Sequence, residues 1–262
     1  MKKLMTTVLA TTLLTLTGCS SSTSANSSTT ADNGNATVIT VGISPDYAPY
    51  ESENTNGDII GFDPDVCALF EQYLTDQEGT PYKIELKKMD FDNIVTQLQG
   101  DQIDLGISGF TYAEDRKVEW SEPYLGSSQV AVLPKGSSIA SLDDLKGKKI
   151  AVQTGSTGEE AAKEIEGADV TGLKNAQDIM NALSANQYDA AVVDLGVAKN
   201  YVSNGTFTML DDSLVDEQNY VIAKLGNTEV IDKINKCIET LLASDEYQTL
   251  CDKYGLTPLE TK

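Results

Sequence analysis

From residue 37 onward, short β-rich apolar runs alternate with longer stretches whose apolar residues recur every three or four positions. Residues 37–43 are rich in valine, isoleucine and threonine and run into Ser44-Pro45-Asp46, which predicts a strand ending in a turn. Asp63-Pro64 predicts a helix start, with the aspartate as N-cap and the proline in the first helical position. Val66, Cys67, Leu69, Phe70, Tyr73 and Leu74 follow at helical spacing and define its buried face. Residues 82–89 read as a strand with Ile84 and Leu86 inward. Phe91, Ile94, Val95 and Leu98 make a short amphipathic helix, and residues 103–107 another strand. The order β-α-β-α-β calls for a parallel sheet with helical crossovers.

The pattern restarts after Tyr124. Strands are expected over 129–133, 148–152 and 188–193, a short capped helix over 141–145, and helices over 157–165 and 176–183. A strand near 220–223 and two helices close the chain, the second capped by Ser244 and ended by Gly255. One echo links the halves. Ile94, Leu98 and Asp104 are spaced as Ile179, Leu183 and Asp189 are, and the same offset maps Gly109 onto Asp194. Two similar lobes are therefore expected, each presenting a strand end. Ligands of open α/β sheets lie outside the carboxyl ends of the strands, so facing lobes enclose one site.

The ends are of a different kind. Lys2 and Lys3 precede an apolar run over 4–16 that closes in Leu16-Thr17-Gly18-Cys19. This resembles a bacterial lipoprotein leader over residues 1–18, with cleavage before Cys19 and lipid on its thiol. Residues 19–36 are mostly Ser, Thr, Ala, Asn and Gly and read as a flexible tether, too poor in apolar surface to fold. The formal charge of −21 disfavours nucleic acid and anionic membrane surfaces as partners and favours solubility. There is no histidine, which excludes His-dependent hydrolases, His-ligated zinc and His proton shuttles. Cys67, Cys237 and Cys251 fall at apolar helical positions and form no C-x-x-C pair, so they read as small buried hydrophobes. A bridge between Cys237 and Cys251 suits a helical hairpin, and leaves at least one cysteine unpaired.

Candidate binding groups sit on the strand-end loops. Thr111-x-x-Glu114 is a capping-box pattern directly after the strand over 103–107. It predicts a helix in which Arg116 reaches back towards the mouth. Thr154-Gly155-Ser156-Thr157 is a second strand-to-helix turn, with Thr157-x-x-Glu160 as its capping box; it lacks the lysine and spacing of a phosphate loop. Asp194 ends an apolar strand. A guanidinium, helix-start N–H groups and an ionised acid are together what a dry zwitterion requires, because either of its charges buried alone is costly.

From about residue 38 to 256 the chain resembles the family 3 extracellular solute-binding proteins of amino-acid ABC transporters. The resemblance rests on Tyr47-Ala48-Pro49-Tyr50-Glu51, Gly61-Phe62-Asp63-Pro64-Asp65-Val66, Met89-Asp90-Phe91-Asp92 and the stretch from Ile103 to Arg116. It continues through Trp120-Ser121-Glu122-Pro123-Tyr124, Leu142-Asp143-Asp144-Leu145-Lys146-Gly147-Lys148 and Gly155-Ser156-Thr157. Pro64 departs from the usual aliphatic residue, at a helix start where proline is tolerated.

The resemblance implies a type II periplasmic-binding-protein fold, two α/β lobes joined by two crossover strands. Lobe 1 would take residues 37–126 plus 220–262, and lobe 2 residues 127–219. It implies that Arg116 clamps an α-carboxylate with Thr111 and the backbone at Thr157, while Asp194 and Ser108 hold the α-ammonium. Tyr47 and Phe91 would sandwich the side chain and Tyr50 border the pocket. Gly109 and Phe110 belong to the same loop, and Gln153 and Ser156 would line the second lobe's wall. Ser44 stands where basic-amino-acid binders carry an acid, so a neutral or polar side chain is expected.

The resemblance further implies no cofactor, metal or nucleic acid. Expected partners are a free amino acid, a membrane permease and, through Cys19, the outer face of the cell membrane; a monomer is expected. The rival is a dehydratase acting on prephenate or arogenate, which would need a cleft acid of shifted pKa. No acid is singled out for that task, Asp46 and Glu51 being the ones with a place near the cleft.

Overall fold

The structure, a computed structural model, describes residues 36–259. The expected leader, Cys19 and all but the last residue of the expected tether lie outside the described residues. None of the described helices is long and apolar enough to cross a membrane.

The first half builds the expected parallel unit. Strand β1 (Thr37–Ile43) leads to a three-stranded antiparallel sheet, β2 (Asp46–Tyr47), β3 (Glu51–Glu53) and β4 (Ile59–Ile60). Helix α1 (Phe62–Glu78) then returns the chain to β5 (Tyr82–Lys88), which pairs in parallel with β1. Helix α2 (Phe91–Gln99) crosses over to the short β6 (Leu105–Gly106), also parallel to β1.

The long strand β7 (Val118–Pro134) leaves this unit, and β11 (Phe207–Lys224) comes back, antiparallel to β7. Between them lie a 3-10 turn at Leu142–Leu145, β8 (Lys149–Gln153), α3 (Thr157–Lys163), β9 (Asp169–Leu173), α4 (Ala176–Ser184), β10 (Ala190–Asp194) and α5 (Leu195–Val202). Helices α6 (Thr228–Leu242) and α7 (Asp245–Tyr254) follow β11. The eight strands run in the order β5-β1-β6-β11-β7-β10-β8-β9, so β7 and β11 join two parallel halves.

The residue choices explain this layout. All of β10 and most of β8 are buried, which suits near-continuous apolar runs in strands covered on both faces by helices. The edge strand β5 alternates half-buried and exposed positions instead. Pro123 lies inside β7, where the ladder to β11 slips register at Tyr220, a bulge that tolerates the missing N–H. Among the described residues Cys67, Cys237 and Cys251 are all free and buried, as small hydrophobes.

Several expectations need correction. Asp63 is not the cap of α1. The cap is Gly61, whose φ of 141° and approach to the chain exclude a side chain, since a Cβ there would lie 2.2 Å from the Tyr50 carbonyl oxygen. The helix expected from Thr111 does not form. Residues 111–117 make a turn with Arg116 N–H donating to Ala113 O at 3.2 Å. Thr111 is bridged to Asn219, and Tyr220 N–H bonds Phe110 O, leaving too few free residues to nucleate a helix before β7. The cap of α3 is Ser156, one residue earlier than the Thr157 pattern implied. Its Oγ accepts from Glu159 N–H, and Glu159 in turn accepts from Gly155 N–H at 2.7 Å. The strands read as 129–133 and 220–223 are fragments of β7 and β11. The small sheet, β9 and α5 had no separate signal in the periodicity.

Candidate functional site

The functional groups gather where the parallel strands end. Ser108, Gly109 and Thr111 follow β6, Gln153 ends β8, Ser156 and Thr157 open α3, and Asp194 ends β10. Tyr47 arrives from the small sheet and Phe91 from the start of α2. With Arg116 and Gln129 they line one enclosed cavity of about 10 Å³. Of the residues expected there, only Tyr50 and Phe110 are absent from its wall. A hollow of about 430 Å³ between α1 and α7 is wider, but its lining has acids and no cation.

Asp194 is 4% exposed and heavily bonded. Its Oδ2 accepts from Tyr47 OH at 2.9 Å and Gln129 Nε2 at 3.1 Å, and its Oδ1 accepts from Ser127 OH. Burial pushes its pKa up, and the three donors oppose that shift by favouring the ionised form. Tyr47 is bound in both directions, since its hydroxyl also accepts from Asp194 N–H at 3.1 Å. Acid and aromatic therefore fix each other across the cavity.

Arg116 occupies the other end. Its guanidinium carbon lies 5.3 Å from the Phe110 ring, 5.8 Å from Trp120 and 5.9 Å from Phe91, a geometry in which each ring's face attracts the cation. Phe91 and Phe110 stack at 4.6 Å, which explains Phe110: it backs the guanidinium instead of lining the cavity. The guanidinium donates to Thr111 O at 3.0 Å and to Gly155 O at 2.7 Å, so it touches both strand-end loops. Its pKa is lowered by burial, with Glu160, Asp115 and Glu217 pulling the other way. Among the described residues it has no carboxylate partner, and a half-buried guanidinium bonded there only to carbonyls is ready to accept an anion.

Four residues of this region carry no signal in the sequence. Gln129 bridges Asp194 and Glu217, the latter at 3.0 Å, while its Oε1 is buried without a partner among the described residues. Ser127 reaches Asp194 from β7. Asn219, fully buried on β11, donates to Gly109 O at 3.0 Å and so pins the loop after β6. Glu217 has its pKa raised by burial, partly offset by the Gln129 hydrogen bond. All four sit on β7 or β11, and a strand pattern alone does not distinguish a polar residue facing a cleft from one facing solvent. Tyr50 is 1% exposed and packs behind the site, its hydroxyl 3.4 Å from Ser127 Oγ. Asp46 accepts from Ala176 N–H at 2.8 Å and lies 3.5 Å from Gln153 Nε2. Glu51 is completely buried and does not line the cavity; it accepts from Ser108 OH, which does.

Two parallel half-sheets joined by two long strands, with opposite charges converging between their strand ends, define a type II periplasmic-binding-protein fold. The chain belongs to the bacterial extracellular solute-binding proteins, family 3, which it matches over residues 39–257. It is 33% identical to the arginine-binding extracellular protein ArtP of Bacillus subtilis (strain 168), across 97% of this chain and 98% of that protein. A crystal structure of the substrate-binding protein of an amino acid ABC transporter superposes with a TM-score of 0.75 at 35% identity, covering 83% of this chain and 98% of that one. An ancestral amino-acid-binding protein described as a precursor of cyclohexadienyl dehydratase gives 0.73 at 28% identity, covering 83% and 95%.

Proposed function

We propose that the protein captures a free amino acid between its two lobes and delivers it to the permease of an ABC transporter. The observation that carries this reading is the pairing of Arg116 and Asp194 at one enclosed gap, with aromatic and neutral polar groups between them. The α-carboxylate meets Arg116, Thr111 and the start of α3. The α-ammonium meets Asp194 and Ser108, with Tyr47 and Phe91 flanking the side chain. A gap of about 10 Å³ admits no amino acid, so the solute enters when the lobes part and is held when they close. The lobes are residues 37–126 plus 220–262 and residues 127–219. The register shifts in the β7–β11 ladder around Ser213, Val215 and Tyr220 support a hinge in these strands.

The side chain captured is neutral or polar. Ser44 stands in place of an acid, and the amides of Gln129 and Gln153 line the wall. A second reading, a cationic side chain, is favoured by Asp46, whose carboxylate lies beside Gln153. A thermal-shift panel of the amino acids separates them, since a ligand that binds only the folded state raises its stability. L-Glutamine is expected to exceed L-arginine; the reverse order overturns the side-chain assignment, and no shift from any amino acid overturns the capture itself.

Binding, not catalysis, is the proposed activity. Of the two acids a dehydratase could recruit, neither lines the cavity: Glu51 is bonded to Ser108, and Asp46 to Ser44 and Ala176. Prephenate recovered unchanged after incubation supports this, and its dehydration would refute it. The protein is further proposed to act as a monomer lipid-anchored through Cys19 on the outer face of the membrane. Exchange of Cys19 for serine should release it into the medium.

A further inference from the structure

Directly behind Ser108 lies a feature that solute capture does not by itself require. Glu51, on β3, is 0% exposed, and so is Asp63, on α1. Glu51 Oε1 accepts from Ser108 OH at 2.6 Å, and Ser108 Oγ in turn accepts from Ser44 N–H at 3.1 Å. Asp63 accepts from Tyr124 OH at 2.8 Å and from Gly109 N–H at 3.2 Å. The two carboxyls therefore hold neighbouring residues of the loop that bears on the ammonium end of the site.

One carboxyl oxygen of the two acids is left without a partner among the described residues. It is Glu51 Oε2, which is buried and has no donor there, and Asp63, whose N–H donates to Tyr50 O at 3.0 Å, is its acidic neighbour. Two carboxylates cannot bond each other, because both only accept, and two dry charges in contact repel strongly. A single proton on Oε2 resolves both difficulties. We infer that Glu51 is a positioning residue held as a neutral carboxylic acid, its Oε2–H donating to Asp63, so that the pair fixes Ser108 and Gly109.

The surroundings fit a shared proton. The groups facing the pair are Asp46, Tyr50, Cys67, Tyr124 and Asp194, each neutral or anionic. Burial first, and then the neighbouring Asp63, pushes Glu51 well above the carboxylate range, while Asp63 rises to about 6. Both shifts have the same sign for stability. What the pair contributes is fully present below the pKa values of the unfolded chain and is lost as pH rises through the folded ones. Ionisation of the second carboxyl would drive the two apart and displace the loop they hold.

Glutamine at position 51 keeps the shape, the acceptor for Ser108 and a donor for Asp63, without a proton to lose. Three measurements test the pair on wild type, E51Q and E51A: infrared spectra, melting temperature against pH, and titration with L-glutamine and L-arginine. Wild type should show a protonated-carboxyl band that E51Q lacks. Raising the pH from about 5 to about 8 should cost wild type more stability than E51Q. Affinity at about pH 6 should stay within about threefold in E51Q and fall more than about tenfold in E51A. As pH rises through about 6 and beyond, wild type should lose affinity relative to E51Q, a ratio that cancels the titration of the ligand.

The inference is overturned if the band persists in E51Q, if the two stability profiles run parallel, or if E51Q binds as poorly as E51A. The two binding measurements rest on the amino-acid reading. If no amino acid binds wild type, that reading fails, while the band and the stability profiles still decide the pair. E51Q also covers the case in which E51A does not fold.

Discussion

The two halves of the sheet share one strand-crossover construction, and the chemistry lies where the positions it delivers differ. In the first half, Asp104 accepts from Thr40 N–H and Oγ1, both at 2.7 Å, and ties the end of the α2 crossover to β1. In the second, Asp189 accepts from Lys149 N–H at 2.9 Å and ties the end of the α4 crossover to β8. The backbone repeats the match, with Asp104 N–H donating to Thr40 O at 2.9 Å and Asp189 N–H to Lys149 O at 2.8 Å. Five residues later the halves part. The first has Gly109 at φ 57°, a bend that offers backbone groups, and the second has Asp194, a buried charge. A repeated scaffold thus delivers two strand ends to one gap, and substitution at the delivered position makes them complementary.

The strongest way to break this comparison is to remove the charges. Arg116→Ala and Asp194→Ala should each cost about 3–5 kcal/mol of binding, enough to abolish the thermal shift from the amino acid that stabilises wild type, because either change leaves a zwitterion half-paired in a dry site. Full response in either variant would detach that residue from the site. Acid should weaken binding in a related way. Burial raises the pKa of Asp194, and only its ionised form pairs with an ammonium. Affinity should therefore fall as pH drops through that raised value, and calorimetry in buffers of different ionisation enthalpy should detect proton release on binding there. In Asp194→Asn the release should vanish.

How much of this was legible follows from what periodicity encodes. The helical stripes of α1 and α2, the Ser244 and Gly255 caps, and the offset joining Asp104 to Asp189 were all readable, because each is a local pattern. Arg116 and Asp194 were readable as candidates from the strand-end loops, but their roles, and Ser108 altogether, only once a resemblance set them in a fold. What escaped was non-local. Thr111-x-x-Glu114 carries a good capping pattern, but its bridge to Asn219, more than a hundred residues away, holds the segment as a turn. Asp63 next to Pro64 looks like a cap because aspartate often is one. It is instead buried beneath Gly109, and Gly61 takes the helix start with a conformation that a bulkier residue resists. Gln129 and Asn219 gave no signal, being polar residues in long strands whose partners lie far along the chain.

Smaller effects sharpen the comparison. Gly109→Ala has room, since a Cβ there would meet only the Tyr47 ring at 3.9 Å, but it forces alanine into the left-handed region. A stability loss of about 1 kcal/mol is expected, with binding weakened a few-fold by movement of the loop. The same measurements on the anchoring aspartates should reveal the limits of the repeat. Asp104→Ala removes two hydrogen bonds to an ionised acceptor and Asp189→Ala removes one. Both side chains are exposed, so water replaces part of each loss, and about 2 and about 1 kcal/mol are expected from denaturant titration. Neither residue touches the cavity, so ligand affinity should hold in both wherever the protein is folded. If Asp189→Ala proved as costly as Asp104→Ala, the second half would lean on its anchor more than its hydrogen bonds account for. If either variant lost binding while keeping its stability, the scaffold and the site would not be separable in the way the two halves indicate.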